Sequence, residues 1–303
     1  MSKNDSMNVN SILIRRPIKR WFPLFLLPTL AAFSIGFLYP FIQGIYLSLC
    51  KFTTTSDATF IGFSNYVRAF QDPTFLHAFW YTALFAFTSL VIINVCAFIV
   101  AYLLTLGIKG ANLFRTAFFM PNLIGGIVLG YIWNMIFNGI LIKYNTSVLI
   151  ETKYGFWGLI IMVAWQQVGY MMIIYIAGLQ AIPEDMMEAA RIDGANKLQT
   201  LFRVTIPNMM PSFTICFFLT LTNGFKLFDQ NVALTGGEPY EFLADGAVVK
   251  TTEMLALNIF NTFYGQNVTS RGVAQAKAVL FFILVAGISI AQLKLSKSKE
   301  VQQ

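Results

Sequence analysis

Few side chains in this sequence are equipped for acid–base, nucleophilic or metal chemistry, and those few do not cluster. His77 is the single histidine and stands at the edge of an apolar run, a position that suits a structural role. Cys50, Cys96 and Cys216 are odd in number, far apart, and inside or beside apolar runs, so neither a disulfide framework nor a metal pattern follows from them. No Asp or Glu falls within the six apolar runs described below. Ion-coupled carriers usually keep such carboxylates inside their spans, so an ion-coupled secondary transporter of a small neutral solute is the alternative rather than the leading reading. An intramembrane enzyme has even less support, because no His/Asp/Glu cluster lies inside the runs. A receptor or assembly protein would need a sensory or catalytic domain, and none follows the runs.

The compact exception is "EAARIDGANKLQTLFRVTIP", Glu188 to Pro207, a charged stretch between two apolar runs. Pro183 sits where a helix begins, and Glu184 and Asp185 complement the dipole of its first turn. The spacing predicts a short helix over Glu184–Asp193, closed by Gly194, where a left-handed residue is wanted. Asn196 is placed to cap a second helix over Lys197–Val204, with Leu198, Leu201 and Phe202 on one face and Pro207 at its end. Met186, Ala189 and Ala190 make a small, adaptable apolar face framed by Glu188, Arg191 and Asp193. Two readings suit that face: a knob for another protein's groove, or an amphipathic connector lying on lipid headgroups.

The elements around this stretch are set by composition. The chain has 303 residues, 56% hydrophobic and 12% charged, with a mean hydropathy of +0.64. Soluble domains carry about 25% charged residues, so most of this chain's solvent is lipid. The net charge of +7 is not a nucleic-acid signature, because the bases flank apolar runs and no basic–aromatic interleaving occurs. Six runs are long enough to cross a bilayer core, which takes about 20 apolar residues. They are Phe22–Leu49, Ala78–Ile108, Thr116–Ile142, Phe156–Ile182, Asn208–Leu227 and Ala274–Leu295. The expected fold is all-α and polytopic, with an N-terminal tail over 1–20, a six-helix domain over 21–295 containing the 183–207 loop, and a tail over 296–303. The first run is too long for the apolar region of a signal peptide. The bases are richer in the segments that share a side with the N-terminus, notably Arg15, Arg16, Lys19, Arg20, Lys294, Lys297 and Lys299, so both termini and the 183–207 loop are expected in the cytoplasm. Pro28, Pro40 and Pro121 each remove a helix hydrogen bond, and Gly126 and Gly130 are spaced for close helix packing. The long segment Asp229–Gly272 is expected to carry an amphipathic helix at about Ala247–Phe263.

Glu188-Ala189-Ala190, Asp193-Gly194-Ala195 and Val204-Thr205-Ile206-Pro207 together resemble the EAA motif of ABC-importer permeases, in the form common to the carbohydrate branch. "LFDQNVALTGGEP", Leu227 to Pro239, is similar to the stretch after the next span in MalF-like or UgpA-like permeases, as is "AGLQAIPEDMMEAA" before the loop. The likeness covers nearly the whole chain apart from the N-terminal tail. The resemblance implies a type I ABC importer permease whose EAA loop, through Glu188, Ala189, Ala190, Asp193, Gly194, Ala195 and Pro207, seats in a cytoplasmic ATPase dimer. It also implies a second, MalG-like permease subunit and an extracytoplasmic substrate-binding protein. No G-x-x-x-x-G-K-[ST] loop occurs in the sequence, so ATP and Mg would be handled by the separate ATPase and no cofactor is expected in this chain.

A sugar calls for aromatic faces and for amides or hydroxyls. Trp165, Gln166, Gln167 and Tyr170 on the fourth run offer both, with Gln166 and Tyr170 four apart on one helix face. Thr220, Asn223 and Leu227 share a face of the fifth run. Aligned on the EAA motif, Tyr170, Thr220 and Asn223 fall where MalF-like permeases line their sugar pocket, and Gly224 falls where the family has a polar residue. Gln166, Tyr170, Thr220, Asn223, Gly224 and Leu227 are therefore the expected substrate pathway. Plain helix–helix hydrogen bonding is the competing role for each.

Overall fold

A computed structural model describes residues 21–243, 246–265 and 270–297. Among them, five helices are long and apolar enough to cross a membrane, and a sixth candidate is a pair of helices that passes the same test together but is bent by 69°. The expected tails at 1–20 and 298–303 lie outside the described residues, while Ser296 and Lys297 simply continue the last helix.

The first span is α1, Trp21–Ser48. Pro40 does not break it. A π turn at Ser34–Leu38 widens the helix just ahead of the proline, and Tyr39 N–H bonds to Ser34. That extra residue moves the carbonyl that the proline ring would otherwise meet. A small hairpin follows, β1 (Cys50–Lys51) against β2 (Thr59–Phe60), and then the short helix α2, Ser64–Gln71. The second span, α3, runs Pro73–Thr105 and so begins ahead of the expected Ala78. Pro73 occupies its first position, where a missing N–H is harmless, and the Asp72 side chain accepts from the Thr74 N–H.

The third span departs from expectation. The apolar run over Thr116–Ile142 is not one helix. It divides into α4 (Ala111–Phe119), a 3₁₀ turn over Met120–Leu123, an extended link at Ile124–Gly125, and α5 (Gly126–Leu141). Pro121 and the two glycines supply the break, and hydropathy does not register it. The fourth span, α6, is a single helix over Thr152–Gln180. The core lies where α3, α6 and the fifth span meet, around Phe85, Ile93, Leu159, Met162, Met172 and Tyr175.

Past α6, the short helix α7 covers Glu184–Ile192. Pro183 stands just outside it as the N-cap, one place earlier than expected. The next helix does not stop at Val204. α8 runs Lys197–Asn208 through Pro207, using a second π turn at Leu201–Thr205 at the same distance from its proline as in α1. The break falls at Met209, where α8 meets α9 (Met210–Phe225) at 69°. The expected span Asn208–Leu227 is thus the far arm of an elbow.

Beyond α9 come the short α10 (Asp229–Leu234), a hairpin of β3 (Tyr240–Phe242) with β4 (Val248–Lys250), and α11 (Leu255–Tyr264). The amphipathic helix expected over Ala247–Phe263 is corrected accordingly: its first part is a strand, because Val248 and Val249 prefer a pleated backbone. The last span, α12, covers Arg271–Lys297.

Candidate functional site: the EAA loop and a polar strip between spans

The EAA loop is built from local rules. Gly194 takes φ +73°, and Ala195 N–H bonds to Ala190 O at 3.0 Å while Gly194 N–H bonds to Arg191 O at 3.1 Å. This is the paired closure that a left-handed residue after a helix makes possible. Asn196 then caps α8 reciprocally with Gln199, at 2.9 and 2.8 Å. The turn is therefore rigid while its side chains stay outside. Glu188, Ala189, Asp193 and Gly194 are exposed, Ala190 is buried, and Ala195 and Pro207 are half-buried. The Glu188 side chain makes no hydrogen bond or ion pair with any described residue.

Two hollows flank α7. Met186, Ala189, Ala190, Gly194, Arg203 and Val204 line a cavity of about 530 Å³. A larger one of about 850 Å³ separates Glu188 and Arg191 from the ends of α3 and α6, at Tyr102, Thr105 and Gln180. The apolar side chains Ile192, Leu198 and Phe202 stand 86%, 67% and 64% exposed. Ile192 was not singled out in the sequence, since a lone isoleucine between two charges gives no periodic signal.

The other expected residues separate into two sets. Thr220 is fully buried and bonded to Asn94 at 3.2 Å, and Asn94 accepts from Tyr175 Oη at 2.7 Å. Gly224 lies against α3, where an added Cβ would come within 3.1 Å of Ala86 Cα. Leu227 is buried in the core. Within the chain, these three hold α9 against its neighbours. Asn94 and Tyr175 were not anticipated, because polar residues scattered singly in apolar runs carry no pattern.

The second set forms a polar strip. Asn223 Nδ2 reaches Gln167 Oε1 at 3.4 Å across α6 and α9. Tyr170, one helical turn along α6 from Gln166 and Gln167, is half-buried and packs against the core, and its hydroxyl has no partner among the described residues. Farther from the EAA loop, Gln166 Nε2 donates to Ile124 O at 3.0 Å, and Gln166 Oε1 accepts from Gln230 Nε2 at 2.9 Å. The Ile124 carbonyl is one that the break in the third span leaves without a helical partner, so Gln166 satisfies it. Gln230 could have been found in the sequence only by knowing that α10 folds back over the break. No group of three or more His, Cys, Asp or Glu that could hold a metal ion occurs among the described residues.

The far end of the bundle carries the buried charge. Lys277 Nζ is fully buried and bonds to Asp72 Oδ2 at 2.7 Å, Asn258 Oδ1 at 2.9 Å and Thr262 Oγ1 at 2.8 Å. Glu253 accepts from Asn258 at 2.7 Å and from Asn261 at 2.5 Å. Burial by itself would raise the Asp72 carboxyl, but its hydrogen bond to Lys277, that cation's charge and its bonds to Thr74 together hold it below the usual carboxylate range. His77 Nε2 lies 3.0 Å from Thr251 O, which gives it the structural role expected of it.

A helical membrane bundle with a broken third span and a rigid, exposed loop ahead of an elbowed fifth has the architecture of an importer permease. The solved structure of a bacterial ABC transporter importing the acidic polysaccharide alginate includes a chain that superposes with a TM-score of 0.76 at 20% identity, over 94% of this chain and 98% of that one. Residues 93–299 match the family described as binding-protein-dependent transport system inner membrane component, and the chain belongs to that family. It is 42% identical over 290 residues to the probable starch degradation products transport system permease protein AmyD of Thermoanaerobacterium thermosulfurigenes, covering 93% of this chain and 96% of that protein. It is 33% identical over 293 residues to the multiple sugar-binding transport system permease protein MsmF of Streptococcus mutans, covering 93% and 97%. It is thus a multi-pass inner-membrane component.

Proposed function

We propose that this chain is one permease half of an ATP-driven, binding-protein-dependent sugar importer. The observation that carries the reading is the EAA loop, stiffened from inside yet left with exposed charge and exposed apolar side chains. A connector with no partner would have no use for both properties at once. Glu188, Ala189, Ala190, Asp193, Gly194, Ala195 and Pro207 engage a separate cytoplasmic ATPase dimer. A second, MalG-like permease completes the pathway, and an extracytoplasmic binding protein delivers the solute. The base-rich flanks of the first and last spans support both termini lying in the cytoplasm.

Gln167, Tyr170 and Asn223 form the part of the pathway that meets substrate, with Gln166 above them. A half-buried hydroxyl without a partner, one turn along α6 from two glutamine amides, suits a neutral polyol, which can both donate to and accept from such groups. The relatives named for starch products and multiple sugars favour a sugar or short oligosaccharide. Reconstitution of the chain with its second permease, ATPase and binding protein in proteoliposomes tests the reading. ATP-dependent uptake of labelled maltotriose, maltose or trehalose is expected, only with binding protein present. Uptake driven by an ion gradient without ATP would overturn it.

A further inference from the structure

Gln166 joins three pieces of chain: α6, the break in the third span, and α10. Its two bonds do different work. The one to Ile124 O supplies a partner that the broken backbone needs. The one from Gln230 satisfies the buried Gln166 Oε1, but Gln230 itself is only half-buried, so another donor that reaches that oxygen can replace it.

Gln230 is nevertheless held in place. α10 sits on α5 at two glycines. A Cβ at Gly126 would fall 2.9 Å from Asp229 Cβ and 2.9 Å from Gln230 Cδ, and one at Gly130 would fall 2.5 Å from Ala233 Cβ. Only glycine permits this approach. It fixes Gln230 over the end of the polar strip that faces away from the EAA loop, with Tyr170 one turn of α6 nearer to that loop.

A neutral amide pair is a suitable closure for a sugar path. It is worth about 0.5–1.5 kcal/mol, enough to bias a population and too little to lock it. Whatever displaces Gln230 must donate a hydrogen bond to the buried Gln166 Oε1. A sugar hydroxyl does so, whereas a carboxylate or an alkyl group does not.

We propose that Gln230 is a specificity-determining residue of the pathway. Its amide closes the strip against Gln166, and the hydroxyls of the incoming solute take over that bond. The inference rests on the sugar-importer reading for the identity of the solute, but not for the closure itself.

The test uses the full reconstituted complex carrying Gln230→Met, which keeps bulk and loses the amide, and Gln230→Asn, which keeps the amide on a shorter stem. Hydrolysis of ATP without sugar or binding protein should rise about two- to tenfold in Gln230→Met, the shift that one neutral hydrogen bond controls. Maltotriose uptake by that variant should show a raised KM, and Gln230→Asn should lie between it and the unaltered chain. Unchanged basal hydrolysis together with unchanged uptake overturns the proposal, as does loss of both only in proportion to lost subunit assembly on the same membranes. If the unaltered complex imports none of the sugars yet Gln230→Met still raises basal hydrolysis, the closure stands and the sugar reading fails. If the unaltered complex imports maltotriose and Gln230→Met behaves identically, the closure fails and the sugar reading stands.

Discussion

The two ends of this bundle spend their polar residues in opposite ways. At the far end, Lys277, Asp72, Asn258, Thr262, Glu253 and Asn261 bond to one another, and the ammonium has three partners. At the EAA end, the backbone is capped on both sides of Gly194, yet Glu188, Asp193, Ile192 and Phe202 face outward without covering contacts. The far end is organised to hold α3, α11 and α12 together, whereas the EAA end leaves its side chains available for the coupling role proposed for it. The contrast teaches that burial, more than charge, separates polar residues that hold this bundle together from polar residues left free of it.

Glu188→Lys probes that contrast with the largest expected effect. The side chain has no partner among the described residues, so the variant should reach the membrane and unfold at an unchanged temperature. ATP-driven uptake in the reconstituted complex should fall at least tenfold. A large shift in Tm would instead make Glu188 part of the fold.

Lys277→Met should do the reverse. Removing the buried Lys277 from its hydrogen-bonded pair with the part-exposed Asp72 costs on the order of 2 kcal/mol, because Asn258 and the covered part of Asp72 lose the ammonium that bonds them. Thermal unfolding in detergent measures it, and Tm should drop by several degrees. An unchanged Tm would remove the basis for calling this end the stable one.

Acid sharpens the same point. The Asp72 carboxyl lies below its ordinary value in the folded chain, so the stability it contributes is present above about pH 4 and lost as pH falls through the depressed value. In Lys277→Met the cation's charge and hydrogen bond are gone, so burial is opposed only by the bonds from Thr74 and the Asp72 carboxyl rises relative to the unaltered chain. Acidification should therefore narrow the gap in Tm between the two proteins. A gap that stays constant from neutral pH down to about pH 3 would show that Asp72 is not the partner that matters.

Tyr170→Phe carries the smallest effect. The ring still packs against the core, and only the hydroxyl is removed. Uptake measured against sugar concentration should weaken by about 1 kcal/mol, near fivefold in KM, with assembly unchanged. Equal uptake curves would return Tyr170 to helix packing.

How much of this was legible in the sequence depends on what each signal reports. Hydropathy located the five long apolar helices and the bent pair, because lipid demands long apolar stretches wherever the chain crosses. It could not show that Pro121–Gly125 divides the third span or that the fifth turns at Met209, since both breaks stay apolar. The caps at Gly194 and Asn196 were readable because single residues decide them. Facing was not. Thr220, Asn223, Gly224 and Leu227 recur at helical spacing, yet only Asn223 meets the strip while the others turn to α3 or the core. In a helix that is apolar all round, composition does not mark which side faces a pathway. The π turns ahead of Pro40 and Pro207 add a further shift of register that an unbroken 3.6-residue count ignores.

The bend at Met209 has a mechanical meaning. Its joint is tight: Met209 is fully buried, its N–H bonds back to Thr205 O and Ile206 O, and Phe213 N–H bonds to Met209 O. Span four presses on the same corner, where a Cβ on Gly178 would lie 2.2 Å from Ser212 Oγ. Such a joint behaves as a bell crank rather than a hinge. Tilting α8, which begins at the Asn196 cap of the EAA loop, must swing α9 with it. At a rise of 1.5 Å per residue α9 is an arm of about 24 Å, so each degree of tilt carries its tip about 0.4 Å sideways. A few degrees imposed at the loop therefore reach Asn223 as displacements of about 1 Å, enough to break or make a hydrogen bond.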